Sequence, residues 1–296
     1  MYASSAPPFV IDEWWQGQLG EIETRRITRE CNLFILALSE DAAVDEKYLE
    51  KRVTPCYLSL LLQGVGYTSR GSLLFGEIAA DGMRVSGLGT LDNYYASPKV
   101  LPADVSEEHF QAAALLAQGV DAIFPENNWR EDFLRLRKGF NAWLDAIKHR
   151  HAHQRLHQSV RSLEAVIKPN QGDGTKKFKY RCQFFTGRKP NDVKLLEELY
   201  ELRCAAEHLN PLANKLGEYP AHEHDNLKAL RAYQAELLAS FVYRKILLRP
   251  DIITHLKDDQ SITDLWTSRD TNALISFWGD TIDLQSAPKA HFHDYL

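Results

Sequence analysis

The chain has 296 residues, 44% apolar and 25% charged, ordinary soluble-protein usage that excludes a disordered chain, a membrane bundle and a mini-protein needing staples. The formal net charge is −5, and Arg130–Pro190 holds fifteen basic against five acidic residues, a local surplus of +10 in a chain otherwise at −15. Such asymmetry marks the basic stretch for anionic partners and excludes indiscriminate nucleic-acid binding by the whole chain.

Cys31, Cys56, Cys182 and Cys204 form no CxxC pair, so reduced thiols and a cytoplasmic location are expected. Met1–Trp15 has no basic start followed by an apolar core, and no apolar run approaches the roughly 20 residues of a membrane span. No membrane association is expected.

Residues 22–102 mix short apolar segments (Asn32–Leu38, Cys56–Leu62, Ser72–Ile78) with glycines, and Asp81-Gly82 between two such runs is a hairpin signal. Residues 1–104 therefore read as an α/β or β-rich domain of unassigned role. Gly64, Gly66, Gly71 and Gly76 fit neither GxGxxG nor a GK[ST] loop and read as turns and strand punctuation. Ser106-Glu107-Glu108 is a helix N-cap with acidic residues in the first turn, and the domain boundary is placed just before it.

Helical periodicity dominates beyond Glu107. Trp129, Phe133, Leu136, Phe140, Trp143, Leu144 and Ile147 recur near every 3.6 residues, predicting one long amphipathic helix over Asn128–His153. Arg155–Ile167 follows, then a polar loop at 169–174. Lys176–Phe185 reads as a short basic helix closed by Gly187. Pro190 opens a helix that Asn210-Pro211 stops, and Asp225–Leu248 ends at Pro250. The whole is expected to be α+β: the N-terminal domain, an all-α bundle over 105–250 and a helical extension over 251–296.

His149, His151, His153 and His157 form the densest histidine group; on one continuous helix, His149/His153 and His153/His157 would be i,i+4 neighbours. Arg150 and Arg155 would repel a cation there, and no HExxH accompanies them. His222/His224 and His291/His293 near Asp294 are similarly weak, so no metal and no cofactor is assigned.

Arg203 and His208 lie five positions apart, a spacing that chance supplies about twice in a chain of this composition. Their context is more specific: Arg155-Leu156, then Val160-Arg161-Ser162-Leu163-Glu164-Ala165, Lys177-Phe178 and Arg181, then Leu199-Tyr200-x-Leu202-Arg203-x3-Glu207-His208. The series over about residues 128–250 resembles HEPN-type helical domains, particularly the Apea-like branch with its LYxxRxxxxH signature. The resemblance implies a bundle that commonly dimerises, many relatives being metal-independent endoribonucleases of bacterial abortive-infection or toxin–antitoxin systems. It maps the paired catalytic residues onto Arg203 and His208.

In that expectation His208 moves a proton, Arg203 stabilises charge on the phosphoryl oxygens, and the RNA 2′-hydroxyl attacks its neighbouring phosphate, so that DNA is spared. Five residues correspond to roughly 140° around a helix, so the pair shares no strict face in one chain, and a composite site in a homodimer would relax that difficulty. Lys176, Lys177, Lys179 and Arg181, with Phe178 and Tyr180 interleaved, are the candidate RNA-binding residues. Two positions depart from the family pattern: Cys204 follows the arginine, and Leu209, not glycine, follows the histidine.

The residues also admit a structural reading. Arg203 pairs with Glu207 at i+4, His208 caps the helix, and Lys176–Arg181 is a solvated basic face beside the acidic face of Glu197, Glu198 and Glu201. The chain is then a non-catalytic HEPN-like sensor, or a module that binds a regulatory protein partner or a nucleotide.

Overall fold

A computed structural model describes residues 2–4, 10–39, 44, 46–68, 71–79, 82–124, 131–169 and 172–288. The chain is α+β and mostly helical. A short strand β1 (Tyr2–Ser4) pairs antiparallel with β2 (Phe34–Leu36), and β3 (Ser72–Ala79) with β4 (Gly82–Thr90), with a bulge at Phe75/Gly76. Asp81 of the hairpin signal, Asn128–Arg130 of the long amphipathic pattern, and His291, His293 and Asp294 lie outside the described residues.

Helix α1 (Glu13–Arg25) and a π-helical turn (Arg26–Glu30) connect β1 to β2, and α2 (Glu46–Leu62) lies between the two pairs. The remaining helices are α3 (Glu107–Ile123), α4 (Leu134–Lys148), α5 (Ala152–Ile167), α6 (Gly174–Thr186), α7 (Pro190–Glu207), α8 (His224–Leu247), α9 (Pro250–Thr254), α10 (Asp259–Thr267) and α11 (Thr271–Trp278). Among the described residues, no helix is long and apolar enough to cross a membrane.

Local chemistry sets several of these ends. Ser106 Oγ accepts from the His109 N–H while the His109 ring accepts from the Ser106 N–H, a capping box with histidine in the usual Glu position. Gly187 closes α6 with φ +89°, a left-handed value that glycine adopts without a Cβ clash. Pro190 stands at the start of α7, where its missing N–H costs nothing.

One continuous apolar core joins Tyr57, Leu61, Leu62 and Tyr94 to the inner faces of α3 to α8 and to Trp266, Leu274, Trp278 and Leu284. The central helix is α8, which buries Leu230, Ala235, Leu238, Ala239, Val242, Tyr243 and Ile246 on several sides. Gly139 lets α4 approach it: a Cβ there would stand 2.2 Å from the Tyr243 hydroxyl and 2.3 Å from the Ala165 methyl. Two buried indole nitrogens find partners, Trp143 donating to Ser240 at 2.9 Å and Trp266 to the Val166 carbonyl at 3.0 Å.

The long helix expected over Asn128–His153 is broken. His149 has extended ψ 143°, and a new helix starts at Ala152. Distant partners supply the reason. The Tyr95 N–H donates to the Ile147 carbonyl at 2.8 Å, and Arg155 Nη1 donates to the His149 carbonyl at 2.9 Å, so acceptors at the end of α4 are satisfied from outside the helix. His149 therefore shares no helix with His153 and His157, and among the described residues no group of three potential ligands could hold a metal.

Candidate functional site

The face of α7 that packs on the bundle carries Leu195, Leu196, Leu199, Leu202 and Ala205, all buried. Its end is a Schellman closure. His208 is the C-cap, the Asn210 N–H donates to the Ala205 carbonyl at 2.8 Å, and the Leu209 N–H donates to that of Ala206 at 3.3 Å. The geometry demands a left-handed residue after the cap, and Leu209 supplies it at φ +56° while its side chain is 92% exposed. Leucine thus occupies the position at which a glycine is conformationally cheapest.

Arg203 points away from this closure, towards α5. Its Nη2 donates to Glu164 Oε2 at 2.9 Å and its Nη1 to Glu207, leaving the side chain 13% exposed above the Tyr200 ring. Burial works against the guanidinium charge, but Glu164 and Glu207 prevail and raise its pKa. The Glu164 carboxyl moves up, because its burial outweighs the help of Arg203. Tyr200 is pushed up to about 12 by burial and by Glu164, and its ring packs on Phe178 with centroids 5.1 Å apart.

The histidine in the electrostatic field of Arg203 is His157 on α5. Burial, then Arg203 and Arg161, lower its pKa while Glu207 raises it, and its Nε2 is buried with no hydrogen-bond partner. Two facing polar stripes build the cluster: His157, Arg161 and Glu164 at i, i+4 and i+7 on α5, and Tyr200, Arg203 and Glu207 at i, i+3 and i+7 on α7. That pairing of spacings was the signal available in the sequence for Glu164 and His157.

His208 sits elsewhere. It is exposed and lines a shallow depression of about 310 Å³ with Cys204, Ala205, Asn210, Pro211, Asn214 and Lys215. Arg203 is not among the residues that line it, and its guanidinium is engaged by Glu164 and Glu207.

The basic helix α6 divides in the same way. Phe178, Arg181, Cys182 and Phe185 recur at helical spacing and are all buried. Arg181 Nη1 donates to the Ile167 carbonyl and, at 3.0 Å, to that of Lys168, capping the end of α5 with Trp266 beneath its guanidinium. Burial lowers its pKa. Arg181 and Phe178 are therefore core residues, closed to an RNA chain. Lys177 pairs with Asp173 at 3.2 Å and Lys179 with Glu197 at 2.6 Å, leaving Lys176 and Tyr180 exposed. Glu197 thus serves as an ion-pair partner of α6. Glu198 pairs with the buried Arg231 at 2.9 Å instead of standing on a solvated acidic face.

Comparison with protein-family models, with curated proteins and with solved structures finds no match to this chain.

Proposed function

We propose that the chain is a HEPN-like helical interaction module in which Arg203 clamps α5 to α7 and performs no phosphoryl chemistry. The observation that carries this reading is the double carboxylate grip of Glu164 and Glu207 on Arg203. A phosphodiester arriving there must displace a partly buried ion pair and leave its carboxylates without their cation, which is costly. The place of His208 in a depression that Arg203 does not line supports the same reading. In this reading a regulatory protein is the partner, and the cytosol is the location, in keeping with four free cysteines.

One observation favours the ribonuclease reading. His208 is open to solvent at the rim of a depression, where a second copy in a homodimer would reach it. The deciding experiment incubates the full chain with labelled single-stranded RNA and matched DNA, beside the Arg203→Ala/His208→Ala variant. The interaction-module reading expects native and variant chains to leave both substrates intact. RNA cleavage by the native chain that the double variant loses would overturn it and establish the metal-independent endoribonuclease.

A further inference from the structure

Ser268, Arg269 and Asp270 form the corner between α10 and α11. Ser268 Oγ donates to the Asp264 carbonyl inside α10, and the Asp270 carboxylate caps α11 by accepting from the Ala273 N–H at 2.8 Å. Among the described residues, Arg269 alone of the three hydrogen-bonds beyond the two helices it joins. Its Nη2 donates to Nε2 of His255, the C-cap of α9, at 3.2 Å. A guanidinium only donates, so Nε2 is the acceptor and the neutral ring carries its proton on Nδ1.

Phe277 of α11 is the floor of this contact. Its ring meets the His255 ring edge to face with centroids 5.5 Å apart, and the guanidiniums of Arg269 and Arg249 lie over it at 4.6 and 5.7 Å. From the α9 side the charged groups are Arg249, its N-cap, and Asp251, whose two oxygens accept from Arg249 at 3.2 and 2.5 Å. The surroundings of His255 thus hold two permanent cations and one carboxylate already engaged. Burial and then Arg269 lower the pKa of His255, while Asp251 raises it.

We propose that the hydrogen bond from Arg269 to His255 is an acid-operated latch on the corner of α10 and α11. A proton taken up at Nε2 removes the acceptor and sets an imidazolium against a guanidinium at hydrogen-bond range, which expels Arg269. The neutral ring is the form that holds the latch, so it is closed above the ordinary histidine value of 6.5 and opens as the pH falls below it. Opening stays local. Leu274 and Trp278 are buried in the main core, and Lys245 Nζ donates to the carbonyls of Trp278 and Asp280 at 2.6 and 2.7 Å, so α11 keeps its seat while the corner is released.

The test is nitrogen-15 NMR on the full chain at about pH 7 and about pH 5, reading the ring nitrogens of His255 and the order parameter of the Arg269 Nε–H. At the higher pH the ring is expected as the Nδ1–H tautomer with Arg269 held. At the lower pH the ring is doubly protonated, and the Arg269 order parameter falls from about 0.8 to below about 0.6. His255→Gln, which offers a neutral acceptor that does not titrate, should keep Arg269 ordered at both pH values, and His255→Ala should leave it mobile at both. An Nε2–H tautomer at the higher pH would overturn the proposal. So would an Arg269 side chain equally ordered at both pH values in the native chain, or a loosening with acid that persists in the glutamine variant.

Discussion

Arg155 and Arg203 are both held by carboxylates across helix interfaces, and the difference between them separates two kinds of site. Arg155 is wholly enclosed: its Nε donates to Glu236 Oε2 at 3.0 Å, and its Nη1 donates to the carbonyls of Tyr95 at 3.0 Å and His149 at 2.9 Å. One acid balances one base, and neutral carbonyls take the remaining donors, as a buried ion requires. Arg203 is partly open and meets two carboxylates instead. The first arrangement fixes α5, α8 and the Tyr95 segment together. The second engages the guanidinium with two carboxylates, which serves a clamp and obliges a phosphate to displace them.

The largest effect is expected where enclosure is complete. Arg155→Met strands Glu236 without its cation and should cost about 3–5 kcal/mol in urea unfolding, the range for breaking a buried pair from one side. A loss below about 1 kcal/mol would place the two arginines in one class and break the comparison.

A smaller change, of opposite sign, is expected at the far end of α7. Leu209→Gly relieves the left-handed strain and removes a side chain that buries almost nothing, so the chain should gain roughly 0.5–1 kcal/mol in the same assay. A destabilised glycine variant would mean that the leucine holds the closure through contacts of its own.

The smallest effect is the contribution of the Arg203 side to the pH dependence of stability. His157 has its pKa lowered from 6.5 in the folded chain, so below that pH the unfolded chain binds the extra proton and acid favours unfolding. His153 and His255 act in the same direction. His157→Gln should therefore flatten, without abolishing, the fall in urea midpoint as the pH drops from 7.5 into the range below 6.5. An identical fall in both proteins would remove His157 from the cluster.

Much of the helical part was legible because its signals are local. Apolar stripes at 3.6-residue spacing with Gly187, Pro190, Pro211 and Pro250 as punctuation mark α6, α7 and α8 closely. The break at His149 was not, since the stripe runs on and the groups that end α4 come from Tyr95 and Arg155. At the site, the i+4 pairing of Arg203 with Glu207 was readable from spacing, whereas the polar stripe that carries Glu164 became a partner only through the packing of α5 on α7. Arg181 shows charge and periodicity in conflict: counted as one basic residue among four, it nevertheless falls on the apolar stripe of α6, and burial follows the stripe.

The central claim, that Arg203 ties two helices together, is tested most directly by a double-mutant cycle on Arg203→Met and Glu164→Gln in urea unfolding. The account predicts a coupling energy of about 1–2 kcal/mol favouring the intact pair, within the range for residues in direct contact. A coupling of zero within error would contradict the clamp and return Arg203 to the list of residues free to bind a phosphate.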